Sequence, residues 1–548
     1  MEQLGHPYYY CYAGFCVVVV VALVVHVVLR ATSGAGGKKP RLPPGPWQLP
    51  LIGNIHHLLT ASGALPHRTM RDLARRHGPL MLLRLCERAA VVVSSADAAR
   101  EVLHRRDDDA FEQRPGSPGV DELYARHGMG IVFAPYGEHW RLLRRVLVAE
   151  LLGARRVDAF RRVREGEAAR LAASFFINAH TPSSLSSAPV NVDARLAEFV
   201  ADSAVRAIAG DRLPDRAAFL KMMEHALDFS SVFDLRDLFP SSRLVRMLPR
   251  SRKAERNRCE AVRLMDDILK HHEERRKAAG DGDEDDEQSM VDVLPRIQKE
   301  GAMGASLTHG VIMAMLVDVF VAAIEATTST LRWAMAELMA NPRVMEKAQS
   351  EIRHVLAGQD QVHEAFLSEL SYLKAVIKET IRLHPPIPLV PRACTEDRRI
   401  QGYDVPKGTI VLVNVWAISR DPKYWENPDK FMPERFEGEH AFNFLGSDFE
   451  FIPFGAGRRI CPGIAFSQAN IEIALASLLY HFDWELPAGV KPEEVDMTES
   501  PGLAVKRKAE LLLHPIPHYI ARMQLVVRTL RTLQQAEDSK NQTGYSDV

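Results

Sequence analysis

Covalent cross-links and charge of one sign are both scarce in this sequence. The 548 residues include six cysteines, Cys11, Cys16, Cys86, Cys259, Cys394 and Cys461, with no CxxC pair among them. A disulfide framework is therefore not expected, and a reducing compartment suits the chain better. Sixty-nine Lys+Arg against 70 Asp+Glu leave a net charge of −1, which excludes the broad basic footprint of a nucleic-acid binder. No internal repeat is present. Hydrophobic residues make up 46% and charged residues 25%, so the chain is neither disordered nor fibrous. Its length admits about three ordinary domains or one unusually large one.

What is there begins with a single apolar run. Residues 8–29 (YYYCYAGFCVVVVVALVVHVVL) are interrupted only by His26, and as a helix they span about 33 Å, enough to cross a hydrocarbon core. A cleaved signal peptide is the competing reading, with Ala31, Ser33, Gly34 and Ala35 as its cleavage region. Charge favours a retained anchor, because Glu2 precedes the run and Arg30, Lys38, Lys39 and Arg41 follow it. That asymmetry leaves the tail luminal and the body cytosolic. Residues 1–30 are thus expected to be the anchor. Residues 31–53, with Pro40, Pro43, Pro44 and Pro46, are expected to be a stiff basic hinge.

Helical periodicity is expected over 65–77, 140–152, 157–175, 192–209, 253–279, 306–339, 342–357, 367–383 and 465–480. Strands are expected over 80–85, 90–93 and 409–414. Residues 280–288 (GDGDEDDEQ) form an acidic stretch that reads as a solvated loop rather than a metal site. The body is mostly α with a minor β part.

Residues 451–463 (FIPFGAGRRICPG) are unlike an ordinary loop. A glycine-rich turn lets backbone approach something flat and bulky, an arginine stands two residues before Cys461, and a helical pattern starts just after it. Such a cysteine is biased toward thiolate by the helix dipole and by backbone N–H donors. A lone thiolate is a haem ligand of the electron-donating kind. The segment resembles the cytochrome P450 signature F-x-x-G-x-R-x-C-x-G through Phe454, Gly457, Arg459, Cys461 and Gly463. Those five positions match by chance in roughly one chain of this length in ten thousand.

Further motifs follow in the family's order. Glu379 and Arg382 resemble E-x-x-R, three residues apart on one helix face, and Arg435 of the P-E-R-F match at 433–436 completes the charge cluster. Trp140 and Arg144 resemble W-x-x-x-R. The resemblance implies that Arg144, Arg459 and Arg392 neutralise the haem propionates, with Trp140 close by. It covers about residues 40–519 and implies one large P450-fold haem-thiolate domain, expected over 54–519. Cys461 would be the axial ligand of haem b. Electrons would come from NADPH through NADPH-cytochrome P450 reductase, with cytochrome b5 as a further donor. The implied reaction inserts one oxygen atom from dioxygen into a lipophilic small molecule, a specialised metabolite of the plant type. The implied location is the endoplasmic reticulum membrane, single-pass, with the catalytic domain cytosolic. The implied pocket is lined by the 113–129 loop, by Met313, Val317, Phe320, Val321 and Glu325, by Ile387, Leu389 and Val390, and by Leu503 with Ala504. This lining suits a lipophilic ligand, but Met and Val at such spacing are equally core residues, so no substrate follows.

One motif departs from the family. Where it has [AG]-G-x-[DE]-T-[TS], residues 322–327 read AAIEAT. The acid is Glu325, but the threonine position holds Ala326. Dioxygen must receive two protons before its O–O bond breaks heterolytically, and that threonine hydroxyl normally holds the oxygen or a water in place. Thr327 lies about 100° further round the helix, so it substitutes only if the helix is kinked or over-wound there; a substrate hydroxyl with water is the other source. The gap also admits reductase-independent isomerases or dehydratases of the same fold, against which the intact thiolate loop and Glu325 argue, and a haem-binding member without turnover. Residues 520–548 are an extension with Ile520, Met523, Val527 and Leu530 at helical spacing, read as a membrane-surface or partner helix, a surface helix without function, or a spurious extension. The sequon Asn541-Gln542-Thr543 stays unmodified if the topology holds.

Overall fold

The computed structural model describes residues 40–518, except 60–64, 105–109, 117–127, 180–187, most of 211–234 and of 248–306, 439–441 and 503. The expected anchor at 8–29, the acidic loop at 280–288, most of the helix at 253–279, Leu503 and the 520–548 extension lie outside the described residues.

Among the described residues, nine longer helices carry the body: α1 Pro66–His77, α2 Ala96–Leu103, α3 Glu138–Val146, α4 Arg161–Ala179, α5 Val192–Ala209, α6 His309–Ala340, α7 Pro342–Val355, α8 Ser371–Leu383 and α9 Ile464–His481. Local chemistry sets several ends. Pro66 starts α1 at a position where no N–H is needed. The Asn191 side chain accepts from the Ala194 N–H to start α5, and left-handed Gly210 (φ 78°) ends it. Two expected helices are shorter than their patterns. The one at 140–152 gives way to a π-helical turn over Leu147–Leu151, and the one at 157–175 breaks at Phe160, with the short helix Ala154–Ala159 before it. The start of the 367–383 helix is a 3-10 turn over Glu364–Glu369.

Helix α6 is apolar on nearly every side and long enough to cross a membrane, with a mean hydropathy of 2.0. A helix of that kind is either a span or a core helix, and packing decides. It lies against α5, α8 and α9, and Leu316, Leu331, Trp333 and Met335 on it are buried. One continuous apolar cluster runs from Ile131 to Leu513 through α3, α4, α5, α6 and α9.

A sheet flanks this bundle in the order β1 (Leu80–Leu85), β2 (Arg88–Val93), β4 (Ile410–Asn414), β3 (Leu389–Ala393). β2 and β4 are parallel and the other pairs antiparallel. From residue 41 onward the proline-rich segment lies against β1 and against the separate hairpin Arg398–Ile400/Tyr403–Val405. The Leu82 N–H donates to the Pro44 carbonyl at 2.8 Å and the Asp404 N–H to the Arg41 carbonyl at 2.8 Å. Asn54, fully buried, ties the segment to β1 by accepting from the Arg84 N–H at 2.7 Å. A side chain at Gly45 would collide with the Leu82 carbonyl oxygen at 2.1 Å, so proline stiffness and glycine together let the chain lie flat on the strand.

The C-terminal hairpin Glu499–Ser500/Lys506–Arg507 is anchored to α1 by a buried ion pair. Glu499 Oε2 accepts from His67 Nε2 at 3.0 Å and from Arg68 Nε at 2.8 Å, and the Glu499 side chain is 1% exposed. Burial alone pushes the Glu499 carboxyl up, but the hydrogen bonds and charges of His67 and Arg68 outweigh it and hold it at about 2. Burial holds His67 below its ordinary value, so at neutral pH the imidazole donates as a neutral group and Arg68 supplies the charge. A folded-state value below the unfolded one stabilises the protein above about pH 4.5, and the gain is lost as pH falls toward 2. Glu499→Gln should cost about 2–3 kcal/mol at pH 7 in urea unfolding. It should also flatten the loss of stability that the wild type shows between about pH 4.5 and 2.

Candidate active site

The Cys461 loop is built by backbone constraint. Gly455 and Gly457 take left-handed φ values of 71° and 73°, a 3-10 turn forms over Gly457–Arg459, and the Cys461 N–H donates to the Phe454 carbonyl at 3.0 Å. Phe454 fixes that carbonyl by packing its ring 5.2 Å from Phe444. The Ser467 N–H then donates to the Gly463 carbonyl at 2.9 Å, opening α9. Cys461 keeps some accessible surface although it lies deep in the chain. Burial pushes its thiol up, while the Gly463 N–H and the Arg144 guanidinium push it down, and burial prevails. The expected bias toward thiolate is thus corrected: the donors are in place, but in the protein alone desolvation outweighs them.

Four arginines gather near this loop. Arg144 on α3 feels the Cys461 charge, and Trp140, on the same face, stacks under the Arg459 guanidinium at 4.9 Å. Arg459 donates to the Ala134 carbonyl at 2.7 Å, and Arg392 on β3 is wholly buried. The fourth, Arg114, was not singled out from the sequence. Its loop pairs with β3 through the Ala393 N–H and the Gln113 carbonyl at 2.8 Å, and Arg114 Nη1 donates to the Pro391 carbonyl at 2.7 Å. Burial, then the like charges of Arg392 and Arg459, hold Arg114 well below its ordinary range, and its buried Nε has no hydrogen-bond partner among the described residues. This donor set fits the haem that the motifs imply. It offers a cysteine that keeps accessible surface and a crowd of guanidiniums whose repulsion two carboxylates would relieve.

The E-x-x-R residues meet as expected. Arg382 Nε and Nη2 donate to the two Glu379 oxygens at 2.7 and 2.8 Å, with both side chains fully buried. Arg435 Nε adds a bond to Glu379 Oε1 at 3.0 Å. The remaining donors hold the following segment: Arg382 Nη1 reaches the Ser419 and Pro428 carbonyls at 2.7 Å each.

On α6 the implied pocket residues divide. Val317, Val321 and Glu325, at i, i+4 and i+8, share a face with accessible surface, and Ala322 beside them is exposed. Met313 and Phe320 are instead core residues, 3% and 0% exposed, with the Phe320 ring edge-on to Phe219 at 5.2 Å. Ile387, Leu389 and Val390 are partly buried, and Leu389–Ala393 is a strand rather than a turn. Glu325 Oε2 meets Lys506 Nζ at 2.9 Å. Thr327 is buried, and its hydroxyl lies 3.0 Å from Ser467 Oγ on α9. The helix is continuous through 322–328, so the kink or over-winding that would bring Thr327 round to Ala326's position is not there.

The family model for Cytochrome P450 matches residues 43–514. The chain is similar to desmethyl-deoxy-podophyllotoxin synthase of Sinopodophyllum hexandrum, at 43% identity over 90% of this chain and 95% of that one. It is also similar to premnaspirodiene oxygenase of Hyoscyamus muticus, at 40% identity over 90% and 96%. A solved zebrafish cytochrome P450 with abiraterone superposes with a TM-score of 0.67 at 25% identity, covering 83% of this chain and 99% of that one.

Arg382→Ala should cost about 3–5 kcal/mol in urea unfolding, because it leaves a buried carboxylate with part of its compensation removed. Arg382→Lys should recover only part of that loss, since one ammonium cannot reproduce the two-pronged contact.

Proposed function

We propose, from the premise that this chain belongs to the cytochrome P450 family and is a monooxygenase of that family, that it oxidises a lipophilic specialised metabolite with NADPH electrons delivered by a reductase. The observation that carries this reading is the meeting of one cysteine that keeps accessible surface with four arginines, Arg114, Arg144, Arg392 and Arg459, of which Arg114 feels the like charges of Arg392 and Arg459. Haem supplies iron that is ligated by the cysteine thiolate and activates dioxygen for insertion of one oxygen atom. Cys461 is the residue that would hold that iron, and Arg114, Arg144, Arg392 and Arg459 with Trp140 would hold the propionates. Gly457 and Gly463 allow the loop's close approach, and Phe454 buttresses it.

The rest of the chemistry belongs to the chain's own groups. Val317 and Val321 on α6, with Leu389 and Val390 on β3, offer apolar surface to a substrate and exclude water. Glu325 is the acid on the accessible face of α6 and is the group we assign to proton delivery. Thr327, held by Ser467, does not take the role of the missing hydroxyl; water or a substrate hydroxyl at the Ala326 position does. The relatives include a premnaspirodiene oxygenase, and compounds of that lipophilic kind are the substrates proposed. We further propose that residues 8–29 anchor the chain in the endoplasmic reticulum membrane, that the body at 54–519 receives its electrons from the reductase on the Cys461 side, and that 520–548 form a separate extension.

Membranes containing the chain should show the reduced carbon monoxide difference band for which the family is named, and Cys461→Ser should abolish it. Oxidation of premnaspirodiene or another apolar probe should require both NADPH and the reductase; turnover of an oxygenated probe without either would instead support the isomerase reading. Ala326→Thr should at least halve the hydrogen peroxide released per NADPH consumed if a hydroxyl at 326 is what the site lacks. An unchanged ratio would show that proton delivery runs independently of that position.

A further inference from the structure

The C-terminal hairpin reaches α6 at one charged point. Lys506 Nζ lies 2.9 Å from Glu325 Oε2, and the two side chains are 29% and 13% exposed, so the pair is shielded without being sealed. The hairpin is fixed on both sides of that contact. Ser329 Oγ, one turn after Glu325, donates to the Val505 carbonyl at 2.8 Å. Arg507 turns to the opposite face, where it donates to the Asp496 carbonyl at 2.9 Å and approaches Asp193 at 3.7 Å. Alternation along a strand then sends Lys506 toward the accessible face of α6. The ammonium therefore comes from a backbone that cannot slide along the helix.

The nearby helix hydroxyls are committed elsewhere: residue 326 is alanine, the Thr327 hydroxyl pairs with Ser467, and Ser329 Oγ donates to the Val505 carbonyl. We infer that Lys506 is a positioning residue for proton delivery, holding the Glu325 carboxylate in one orientation on the accessible face of α6. This rests on the reading of Glu325 as the proton-delivering acid. The lysine touches neither cofactor nor substrate in this role. It acts through Glu325, supplying from a distant hairpin the fixing contact that position 326 does not.

The test uses the full-chain holoenzyme with its reductase and NADPH and no added substrate, so that no substrate need be known. Three variants, Lys506→Met, Lys506→Arg and Glu325→Gln, are compared with the wild type for peroxide released per NADPH and for the solvent deuterium effect on NADPH consumption. Lys506→Met should shift the peroxide fraction at least twofold and raise the isotope effect, with the carbon monoxide band retained, and Lys506→Arg should restore wild-type values. In thermal unfolding of the resting protein, the double variant Lys506→Met with Glu325→Gln should melt no lower than the worse single variant, as expected for two groups acting as one pair. Wild-type peroxide fraction and isotope effect in Lys506→Met, together with altered values in Glu325→Gln, would overturn the role of Lys506 alone. Unaltered values in Glu325→Gln would overturn the reading of Glu325 itself. Additive melting losses would overturn the pairing.

Discussion

Everything around Cys461 depends on one ion pair sealed from water. Glu379 and Arg382 share two hydrogen bonds inside α8 with no solvent contact. Burying both charges is costly, and attraction alone rarely offsets it. What completes the balance is the use of every remaining donor and acceptor on backbone that has no regular structure of its own. Arg382 holds the Ser419, Pro428 and Lys430 carbonyls, and Glu379 accepts from the Met432 N–H and from Arg435. An irregular stretch is thereby given a fixed path, and Trp425 on it meets Phe451 at 6.0 Å. Three residues further on, Phe454 supplies the carbonyl that receives the Cys461 N–H. The pair on α8 thus sets the position of a sulfur it never touches.

A second constraint comes from α6, which must be two things along one length. Its flanking turns are core, with Leu316, Leu331 and Trp333 buried, while its middle opens at Val321, Ala322, Glu325 and Ala326. Small side chains there leave room for a flat ligand without bending the helix, which a kink would otherwise have to provide. The sole carboxylate on that stretch tolerates its shielded place because a lysine is brought to it by the hairpin.

The helices at 192–209 and 342–355 and the strand at 80–85 were legible to within a residue or two, because period and caps agree there. The motif residues were legible too, since each is fixed relative to its own helix or loop: Glu379 with Arg382, Trp140 with Arg144, Gly457 with Cys461. What escaped depends on contacts between distant segments. Leu389–Ala393 carries Pro391 and reads as a turn, yet it is an edge strand whose pairing to β4 is complete without that N–H. Leu512–Pro517 has two prolines and still pairs with Phe482–Glu485. Arg114 is an unremarked loop arginine until β3 runs beside it. Phe320 and Met313 carry the periodicity of a pocket lining, and only packing reveals them as core.

The same distinction governs the departure at Ala326. A helix fixes side-chain direction by residue number, so a hydroxyl displaced by one position is displaced by about 100°. In α6 that rotation sends the Thr327 hydroxyl into the interface with α9, where Ser467 receives it, and the hydroxyl becomes part of the packing between two core helices. Moving it back would need a break in a helix whose 32 residues are held by α5, α8 and α9 together. Local rearrangement is therefore more expensive than bringing a group in from outside the helix. A hairpin pinned through the Val505 carbonyl does that at the cost of one lysine's side-chain freedom, roughly 2 kcal/mol at most, and leaves the continuity of α6 intact.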